Sequence, residues 1–186
     1  MNLDKQIRLY KYMLSEGNII IDNIPTHIHP LLEDNPSEED LLESKRYIKR
    51  QEIKQDCYKA ITNGFDTDVK YNEVKHYSLD EFSQKNIDDQ MIQLQAGEIK
   101  NALWHDDSKV MHDLWTFAEF KEFFTQYKMF ILSCRLKSDM LEGRIDIATT
   151  QEELDLITWD AELTEEEQLK INTLLSGMFE GVETGV

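Results

Sequence analysis

Residues 117–145, FAEFKEFFTQYKMFILSCRLKSDMLEGRI, form the longest uninterrupted helical pattern of the chain. Thr116 and Glu119 stand three residues apart at its start, as in a capping box, where a hydroxyl and a carboxylate satisfy free backbone N–H groups. Aromatic and aliphatic side chains then recur at helical spacing. The pattern predicts one long helix against which the other elements pack.

The long helix is apolar on two sides. One side carries Phe120, Phe124, Tyr127 and Ile131, and the other carries Phe123, Phe130, Cys134 and Leu141. A domain of this size has few elements with which to cover both sides, so we expect a neighbouring subunit to bury one of them. On this helix, Phe123 and Phe130 are the residues that we predict to contact a partner.

A second capping pattern follows the helix in ATTQEELDLITW, residues 148–159. Either Thr149 with Glu152 or Thr150 with Glu153 is predicted to cap a two-turn helix. The apolar residues expected to fold onto the end of the long helix are Leu154, Ile157 and Trp159. We therefore interpret this segment as the structural end of the domain and not as the lip of an active site.

Upstream of the long helix, another helix is predicted to begin after Ser37 and to end at Gly64, since glycine commonly stops helices. Its first half is largely charged and is expected to project from the core or to pair with another chain. Two hairpins are predicted next. The first is formed by residues 69–71 and 74–77, and the second lies within residues 102–115.

Between the hairpins, Ser78 and Glu81 predict the start of a further helix, which Gly97 ends. Its apolar side consists of Phe82, Ile87, Met91 and Leu94. The sequence thus predicts an α+β core at residues 37–160, with three main helices and two short antiparallel hairpins. The tryptophans, Trp104, Trp115 and Trp159, are expected to be at least partly buried.

Residues 1–36 are predicted to form an N-terminal arm. Its first helix stops near Gly17, and residues 19–24 have the apolar character of a strand. All three prolines of the protein lie in residues 25–40. Because proline removes a backbone donor and restricts the residue before it, this segment is predicted to be an extended connector.

Residues 161–186 are predicted to form a C-terminal amphipathic helix. Thr164 and Glu167 cap it, and Gly177 and Gly181 are expected to break it. Its predicted partner-contact residues are Leu174, Leu175, Met178 and Phe179. Two alternatives remain open, because the helix either folds back on its own domain or lies in a groove of a neighbouring subunit.

The composition restricts the classes of function. A formal net charge of −17 repels phosphate backbones, so nucleic-acid binding is an unfavourable hypothesis. No window approaches the roughly 20 apolar residues of a membrane span, and the N-terminus lacks the apolar region of a secretory signal. We therefore expect a soluble protein that does not bind membranes. Cys57 and Cys134 are expected to be half-buried, reduced thiols made in a reducing cytoplasm.

For the histidines and acidic residues of the chain, a structural role is a stronger hypothesis than a metal-binding or catalytic role. His27 with His29, or His105 and His112 with nearby aspartates, could supply metal ligands, but the connector and turn chemistry account for these residues more simply. Paired glutamates fall in first helical turns, where the helix dipole explains them. The sequence contains no GxSxG motif, P-loop or glycine-rich dinucleotide turn. It predicts no catalytic residue, no cofactor and no metal.

The order of these motifs resembles a small domain of unknown function that recurs in tail proteins of tailed phages and prophages. The matching residues are Cys57, Gly64-Phe65, His76-Tyr77-Ser78-Leu79, Asp89-Gln90, Trp104, residues 116–120 and residues 148–159. The resemblance covers roughly residues 40–160, and it departs at Phe117-Ala118, where a polar residue is expected. It provides no catalytic residues to carry over.

This resemblance implies a non-enzymatic structural protein of the phage tail, at the tail tip or baseplate or near the tail fibre. The alternative is an assembly chaperone for the tail or tail fibre that is absent from the mature virion. The expected partners are other tail or baseplate proteins and further copies of the chain, in threefold or sixfold symmetry. The expected location is the virion tail, after synthesis in the host cytoplasm.

Overall fold

The structure is a computed structural model that describes residues 3–32, 37–71, 73–108 and 111–179. The helices in these ranges are α1 (Leu3–Ser15), α2 (His29–Leu32), α3 (Glu38–Asn63), α4 (Glu81–Ala96), α5 (Phe117–Ile147), α6 (Gln151–Asp155) and α7 (Glu165–Phe179). The strands are β1 (Phe65–Thr67), β2 (Lys75–Tyr77), β3 (Asn101–Trp104) and β4 (Asp113–Thr116). β1 pairs with β2 and β3 pairs with β4, both antiparallel. The predicted α+β class is confirmed.

The chain folds into two compact units. Unit 1 comprises Met1–Gln55 and Met140–Ala161, and unit 2 comprises Asp56–Asp139 and Glu162–Val186. α3 and α5 each contribute residues to both units. The division of the chain at residues 36 and 160 remains a prediction about domain boundaries. None of the helices in the described ranges is both long and apolar enough to cross a membrane.

In unit 1, the prediction of a strand at residues 19–24 is wrong. A 3₁₀ turn at Ile21–Asn23 takes its place. The reason is a small apolar cluster in which Ile24, Ile28 and Leu31 are buried at helical spacings of four and three. The half-buried side chains packed around them are Ile7, Tyr10, Leu14, Ile19, Leu32 and Leu41.

The prediction of an extended connector at residues 25–40 is also wrong for those residues of the segment that the structure describes. Thr26–Ile28 forms a 3₁₀ turn that runs into α2. Pro30 stands in the first turn of α2, where its missing N–H costs no helical hydrogen bond. The Nε2 atom of His29 lies 2.9 Å from the carbonyl oxygens of Ile21 and Ile24. Residues 33–36 of the expected connector lie outside the described residues.

The charged first half of α3 pairs within unit 1. The Arg46 guanidinium donates to the carbonyl oxygen of Ala148 at 2.7 and 3.1 Å, where a cation complements the free carbonyl groups after α5. Arg50 donates to the Asp146 carboxylate at 2.7 Å. The two arginines thus pair inside the unit, so the expectation that this half projects from the core is wrong, and its pairing with another chain stays a prediction.

The capping box before α6 is confirmed for the second of the two predicted pairs. The Glu153 N–H donates to Thr150 Oγ1 at 3.2 Å, and the Thr150 N–H donates to the Glu153 carboxylate at 3.3 Å. Leu154 and Ile157 are then buried, as expected, and Trp159 is half-buried. The segment at residues 148–159 is thus a helix end with a packed apolar side.

In unit 2, the first hairpin uses a different first strand from the one predicted. Phe65 pairs with Tyr77 in the ladder, and residues 68–71, 73 and 74 lie in the connection. Burial explains the choice, since Phe65 and Thr67 are buried, whereas Val69 and Tyr71 of the predicted first strand are only half-buried. The buried Phe65 ring lies 5.5 Å from the ring of Phe123.

The N-terminal cap of α4 lies two residues later than predicted. The Asp80 carboxylate, not Ser78, accepts the N-terminal hydrogen bond, from the N–H of Ser83 at 2.6 Å. The buried side of α4 consists of Ile87, Met91 and Leu94, while Phe82 is exposed. Gly97 ends the helix in the left-handed region, with φ +72°, as predicted.

Helix α5 begins with the predicted capping box, because the Thr116 N–H donates to Glu119 at 2.8 Å and the Glu119 N–H donates to Thr116 Oγ1 at 3.4 Å. Trp104 and Trp115 are buried, as expected. Both apolar sides of α5 contribute buried residues: Phe120, Phe123, Tyr127, Ile131, Cys134 and Leu141. The chain itself covers these residues, so the premise that a neighbouring subunit must bury one side is wrong.

Helix α7 begins after the predicted capping box of Thr164 and Glu167. It continues through Gly177, so the predicted break there is wrong, and Gly181 lies outside the described residues. Ile171 is 3% exposed, and α7 belongs to unit 2. Of the two alternatives, the structure shows the helix folded back on its own unit.

The end of α3 depends on glycine at position 64. Gly64 has φ +93°, and a Cβ atom there would lie 1.9 Å from the carbonyl oxygen of Tyr77, which is a backbone atom that cannot move aside cheaply. We predict that Gly64→Ala lowers the free energy of unfolding by about 3 kcal/mol or more, since steric overlap adds to backbone strain. Urea unfolding followed by circular dichroism measures this change.

Gly97→Ala is the matched control for this prediction. Gly97 has a similar positive φ, +72°, but an added Cβ there would meet nothing within 4 Å. Its substitution should therefore lower the free energy of unfolding by only about 1 kcal/mol, which is the cost of holding alanine in the left-handed conformation. Equal losses for the two variants would contradict the role assigned to the contact with Tyr77.

Candidate protein-contact surface

The hairpin of β3 and β4 presents an exposed apolar pair. In the ladder, Leu103 lies opposite Leu114, and Ala102 lies opposite Trp115. Because side chains alternate between the two faces of a strand, burial of Trp115 turns Leu114 outward. Leu103 is 51% exposed and Leu114 is 63% exposed. We call this outward Leu103–Leu114 pair the leucine pair.

Side chains from outside the hairpin occupy both backbone edges beside the leucine pair. The Gln90 amide accepts from the N–H of Leu103 at 2.7 Å and donates to its carbonyl oxygen at 3.2 Å. On the other strand, the Lys70 ammonium donates to the carbonyl oxygen of Leu114 at 2.8 Å. These backbone groups are therefore not available to a third strand, and the leucine side chains are the exposed groups of this face.

The inner face of the hairpin is anchored in the core of unit 2. Trp115 is 0% exposed, and its Nε1–H donates to the carbonyl oxygen of Trp104 at 3.1 Å. Its ring lies 5.2 Å from that of Phe123, 6.0 Å from that of Tyr77 and 6.2 Å from that of Phe120. Such a dense aromatic contact set holds the backbone of β4, so the leucine pair stands on a rigid base.

Lys70 also links the first hairpin to the start of α5. Its ammonium donates to the Glu119 carboxylate at 2.8 Å and lies 5.5 Å from the centre of the Trp115 ring. Hydrogen bonds from Lys70 and Thr116 lower the pKa of Glu119 against the opposing effect of its partial burial. The carboxylate is thus held ionised while it serves both the helix cap and the lysine.

A second polar cluster joins the two hairpins through His76. Its Nδ1 lies 2.7 Å from the Asp66 carboxylate and its Nε2 lies 2.6 Å from the carbonyl oxygen of Asn63. Both partners only accept hydrogen bonds, so both contacts are made fully when the imidazole is protonated on both nitrogens. The hydrogen bond to Asp66 is the main cause that raises the pKa of His76.

Ser78 and Asp107 complete this cluster without forming a catalytic triad. The Ser78 hydroxyl and N–H both donate to the Asp107 carboxylate, and the Asp107 N–H donates to the carbonyl oxygen of His76 at 3.0 Å. A serine nucleophile needs its hydroxyl to donate to a histidine that acts as a base. Here the hydroxyl donates to an aspartate and both ring nitrogens face acceptors, so the arrangement holds the two hairpins together.

The cysteines are also placed for structure. Both are reduced thiols, and both are buried rather than half-buried as the sequence predicted. The Cys57 Sγ–H donates to the carbonyl oxygen of Cys134 at 3.5 Å. Burial raises the pKa of Cys134 to about 11, which disfavours the nucleophilic thiolate.

The predicted partner-contact residues fall into different environments. Phe123 is 0% exposed inside unit 2, so its assignment to a partner surface is corrected. Phe130 is half-buried and stacks on Phe65 with ring centres 5.5 Å apart. On α7, Leu174 and Met178 are exposed, whereas Leu175 and Phe179 are half-buried.

Met178 and Phe179 line a cavity in unit 2. Its other lining residues come from α4 and α5 and include Asp88, Tyr127, Ile131 and Arg135. Tyr127 and Ile131 are buried at its floor. The predicted contact residues at the end of α7 therefore form a wall of this unit's own surface, and they do not extend from it as a free hook.

The leucine pair is absent from the residues predicted to contact a partner, although the sequence carries a signal for it. The strands read NALW and DLWT, residues 101–104 and 113–116, and tryptophan alternates with leucine in both. Once each tryptophan is placed inside, the neighbouring leucine must face outward. The signal becomes readable only when the register of the hairpin is known, and the turn residues alone leave that register open.

Of the histidines weighed as metal ligands, His27 and His29 have structural contacts. His27 stacks on Tyr47 with ring centres 3.6 Å apart, and His29 bonds to backbone carbonyls as described above. Asp106 performs the turn chemistry expected near the second hairpin, because its carboxylate accepts from the N–H of Ser108 at 2.8 Å. In the part of the chain that the structure describes, no three or more His, Cys, Asp or Glu side chains are grouped as a metal site.

The architecture defined by these contacts is a small α+β domain, held by an aromatic core between two hairpins and a long helix. Residues 44–162 match the family described as a domain of unknown function, DUF4376, and the chain belongs to that family. The matched range includes the leucine pair, Gln90, Lys70 and the His76 cluster. Comparisons with curated proteins and with solved structures found no match.

We predict that the His76 cluster makes the stability of the chain depend on pH. The pKa of His76 is raised, so its contribution is fully present below the unfolded value of about 6.5 and is lost as the pH rises through the folded value. The side chain is 39% exposed, so solvent screening limits the effect to less than about 1 kcal/mol. Urea unfolding at pH 5.5 and at pH 8.5 measures it.

Asp66→Asn removes the carboxylate beside His76 and should flatten this pH dependence. Asp68→Asn is the matched control, since Asp68 is an exposed carboxylate in the adjoining connection and should leave the dependence unchanged. An unaltered pH dependence in Asp66→Asn would show that the Asp66–His76 contact is not its source.

Proposed function

We propose that the protein is a non-enzymatic structural component of a phage tail that acts through protein–protein contacts. The observation that carries the contact role is the leucine pair on the hairpin of β3 and β4. The tail assignment rests on the resemblance of the motifs to domains in tail proteins.

The leucine pair has the properties of a specific contact surface. Two large aliphatic side chains are held outward by a cross-strand pair, and Met111 beside β4 adds a side chain that is 79% exposed. Single exposed leucines are common on proteins, but a fixed adjacent pair provides a small apolar centre that polar groups can surround. The rigid base reduces the entropy that the hairpin would lose on binding.

The charge of the chain supports a particular kind of neighbour. At a net charge of −17, contact between two copies carries a repulsive cost outside the apolar centre, so a less acidic or basic partner surface is favoured at the leucine pair. Copies related by threefold or sixfold symmetry would then be held by a common partner as well as by each other.

Mass spectrometry of purified tail particles tests the tail assignment. We expect peptides of the chain in particles from the phage or prophage that encodes it, in a constant ratio to the other tail proteins. Presence in tail-assembly intermediates but absence from finished particles would instead identify an assembly chaperone. Absence from both would overturn the proposal.

We predict that the double variant Leu103→Gln, Leu114→Gln reduces incorporation into tails by about tenfold or more. The loss of two aliphatic side chains from an interface centre removes at least about 1.4 kcal/mol of binding free energy, which is a factor of ten. The thermal midpoint should stay within a few degrees of the parent chain, because both leucines are already exposed to water. Quantitative mass spectrometry of particles from a complemented deletion strain measures the incorporation.

The matched control is Leu156→Gln. Leu156 is 78% exposed and lies in unit 1, away from the hairpin in sequence. It should leave incorporation unchanged. Normal incorporation of the hairpin double variant would show that the leucine pair is not the contact surface, whatever the outcome for the particle assignment.

A further inference from the structure

His105 directly follows β3 and His112 directly precedes β4, just beyond the last ladder pair of the second hairpin. The paired residues are 101 with 116, 102 with 115, 103 with 114 and 104 with 113, so the next positions are 105 and 112. Alternation places this histidine pair on the same face as Leu103 and Leu114. The two imidazoles are therefore cross-strand neighbours, although seven positions separate them in the sequence.

The rings of this histidine pair lie close together. The Gln90 side chain forms hydrogen bonds with both the N–H and the carbonyl oxygen of Leu103. Leu103 and Leu114 are therefore a pair that does not exchange ladder hydrogen bonds. His105 and His112 lie two residues further along, one residue outside each strand and beyond the last ladder pair. Their ring centres lie 4.6 Å apart, with the ring planes at 87°.

The tautomer of His105 is fixed by its backbone. Its Nδ1 lies 2.8 Å from the carbonyl oxygen of Asp106, and a carbonyl only accepts, so Nδ1 carries the proton. In the neutral ring, Nε2 then holds the lone pair. Metal-bound histidines generally donate their second ring N–H to such a carbonyl or to a carboxylate, which orients the ring and makes the ligand nitrogen more basic.

The separation of the rings fits two imidazoles on one ion. With metal–nitrogen distances near 2.0–2.1 Å and angles between about 90° and 109°, two bound imidazoles have ring centres roughly 4.5–5 Å apart. The observed 4.6 Å lies in that range. His112 is exposed and His105 is half-buried, so an ion reaches the pair from solvent without an opening of the core.

We infer that His105 and His112 together bind a divalent transition-metal ion, of the class that includes Zn²⁺, Ni²⁺ and Co²⁺. Imidazole nitrogens select these ions over Mg²⁺ and Ca²⁺, which prefer oxygen ligands. Two histidines leave coordination positions open to water or to a donor from a bound protein. The site is distinct from the contact role of the leucine pair, although both lie on one face.

Isothermal titration of the full chain with Zn²⁺ tests the inference, in buffer that contains millimolar Mg²⁺ to occupy nonspecific acidic sites. We expect one ion per chain, with nitrogen NMR of the histidine side chains showing that the Nε2 signals of His105 and His112 move. No saturable Zn²⁺ binding under these conditions would overturn the inference.

His112→Gln and His105→Gln should each weaken Zn²⁺ binding by about tenfold or more, because each removes one of two protein ligands. The matched control is His27→Gln, since His27 stacks on Tyr47 in unit 1 and should not affect the affinity. Circular dichroism in the absence of metal checks that each variant is folded. If both hairpin variants bind Zn²⁺ as tightly as the parent chain, the ion binds elsewhere and the inference is wrong.

Discussion

The burial of Trp115 is the constraint on which the rest of unit 2 depends. A side chain of this size stabilises the fold only if it is enclosed, and here Tyr77, Phe120 and Phe123 enclose it. Tyr77 belongs to β2, and the two phenylalanines lie on successive turns of α5. The position of one indole thus relates both hairpins to the long helix, and its Nε1–H is satisfied by the carbonyl oxygen of Trp104 within the same hairpin.

The sequence was sufficient wherever a local rule determines the structure. The capping boxes at Thr116, Thr150 and Thr164 begin helices as predicted, because a side chain three residues from its partner satisfies free N–H groups regardless of tertiary context. Gly64 and Gly97 end helices with positive φ for an equally local reason. These rules placed the starts of α5, α6 and α7 and the ends of α3 and α4 to within a few residues.

The errors arise where burial at a distance overrides a local pattern. The apolar residues after Gly17 have the character of a strand, but Ile24, Ile28 and Leu31 bury together at helical spacing. Phe65 enters the first hairpin because its ring packs against Phe123 and Phe130, which are distant in sequence. The same reasoning explains the errors in the predicted contact residues. The sequence identifies Phe123 as apolar but does not show that it is enclosed. The leucine pair could not be placed on the outward face before the register of the hairpin was known.

Separate residues stabilise the hairpin and form its outward face. A two-stranded hairpin is marginal by itself, so its stability must come from Trp104 and Trp115 on the inner face and from Gln90 and Lys70 at its edges. None of these four lies on the outward face, which carries the leucine and histidine pairs. We therefore expect substitutions on that face to have little effect on whether the hairpin folds. A domain built in this way can keep one core while its outward face is fitted to different neighbours, which is the property that a contact module requires.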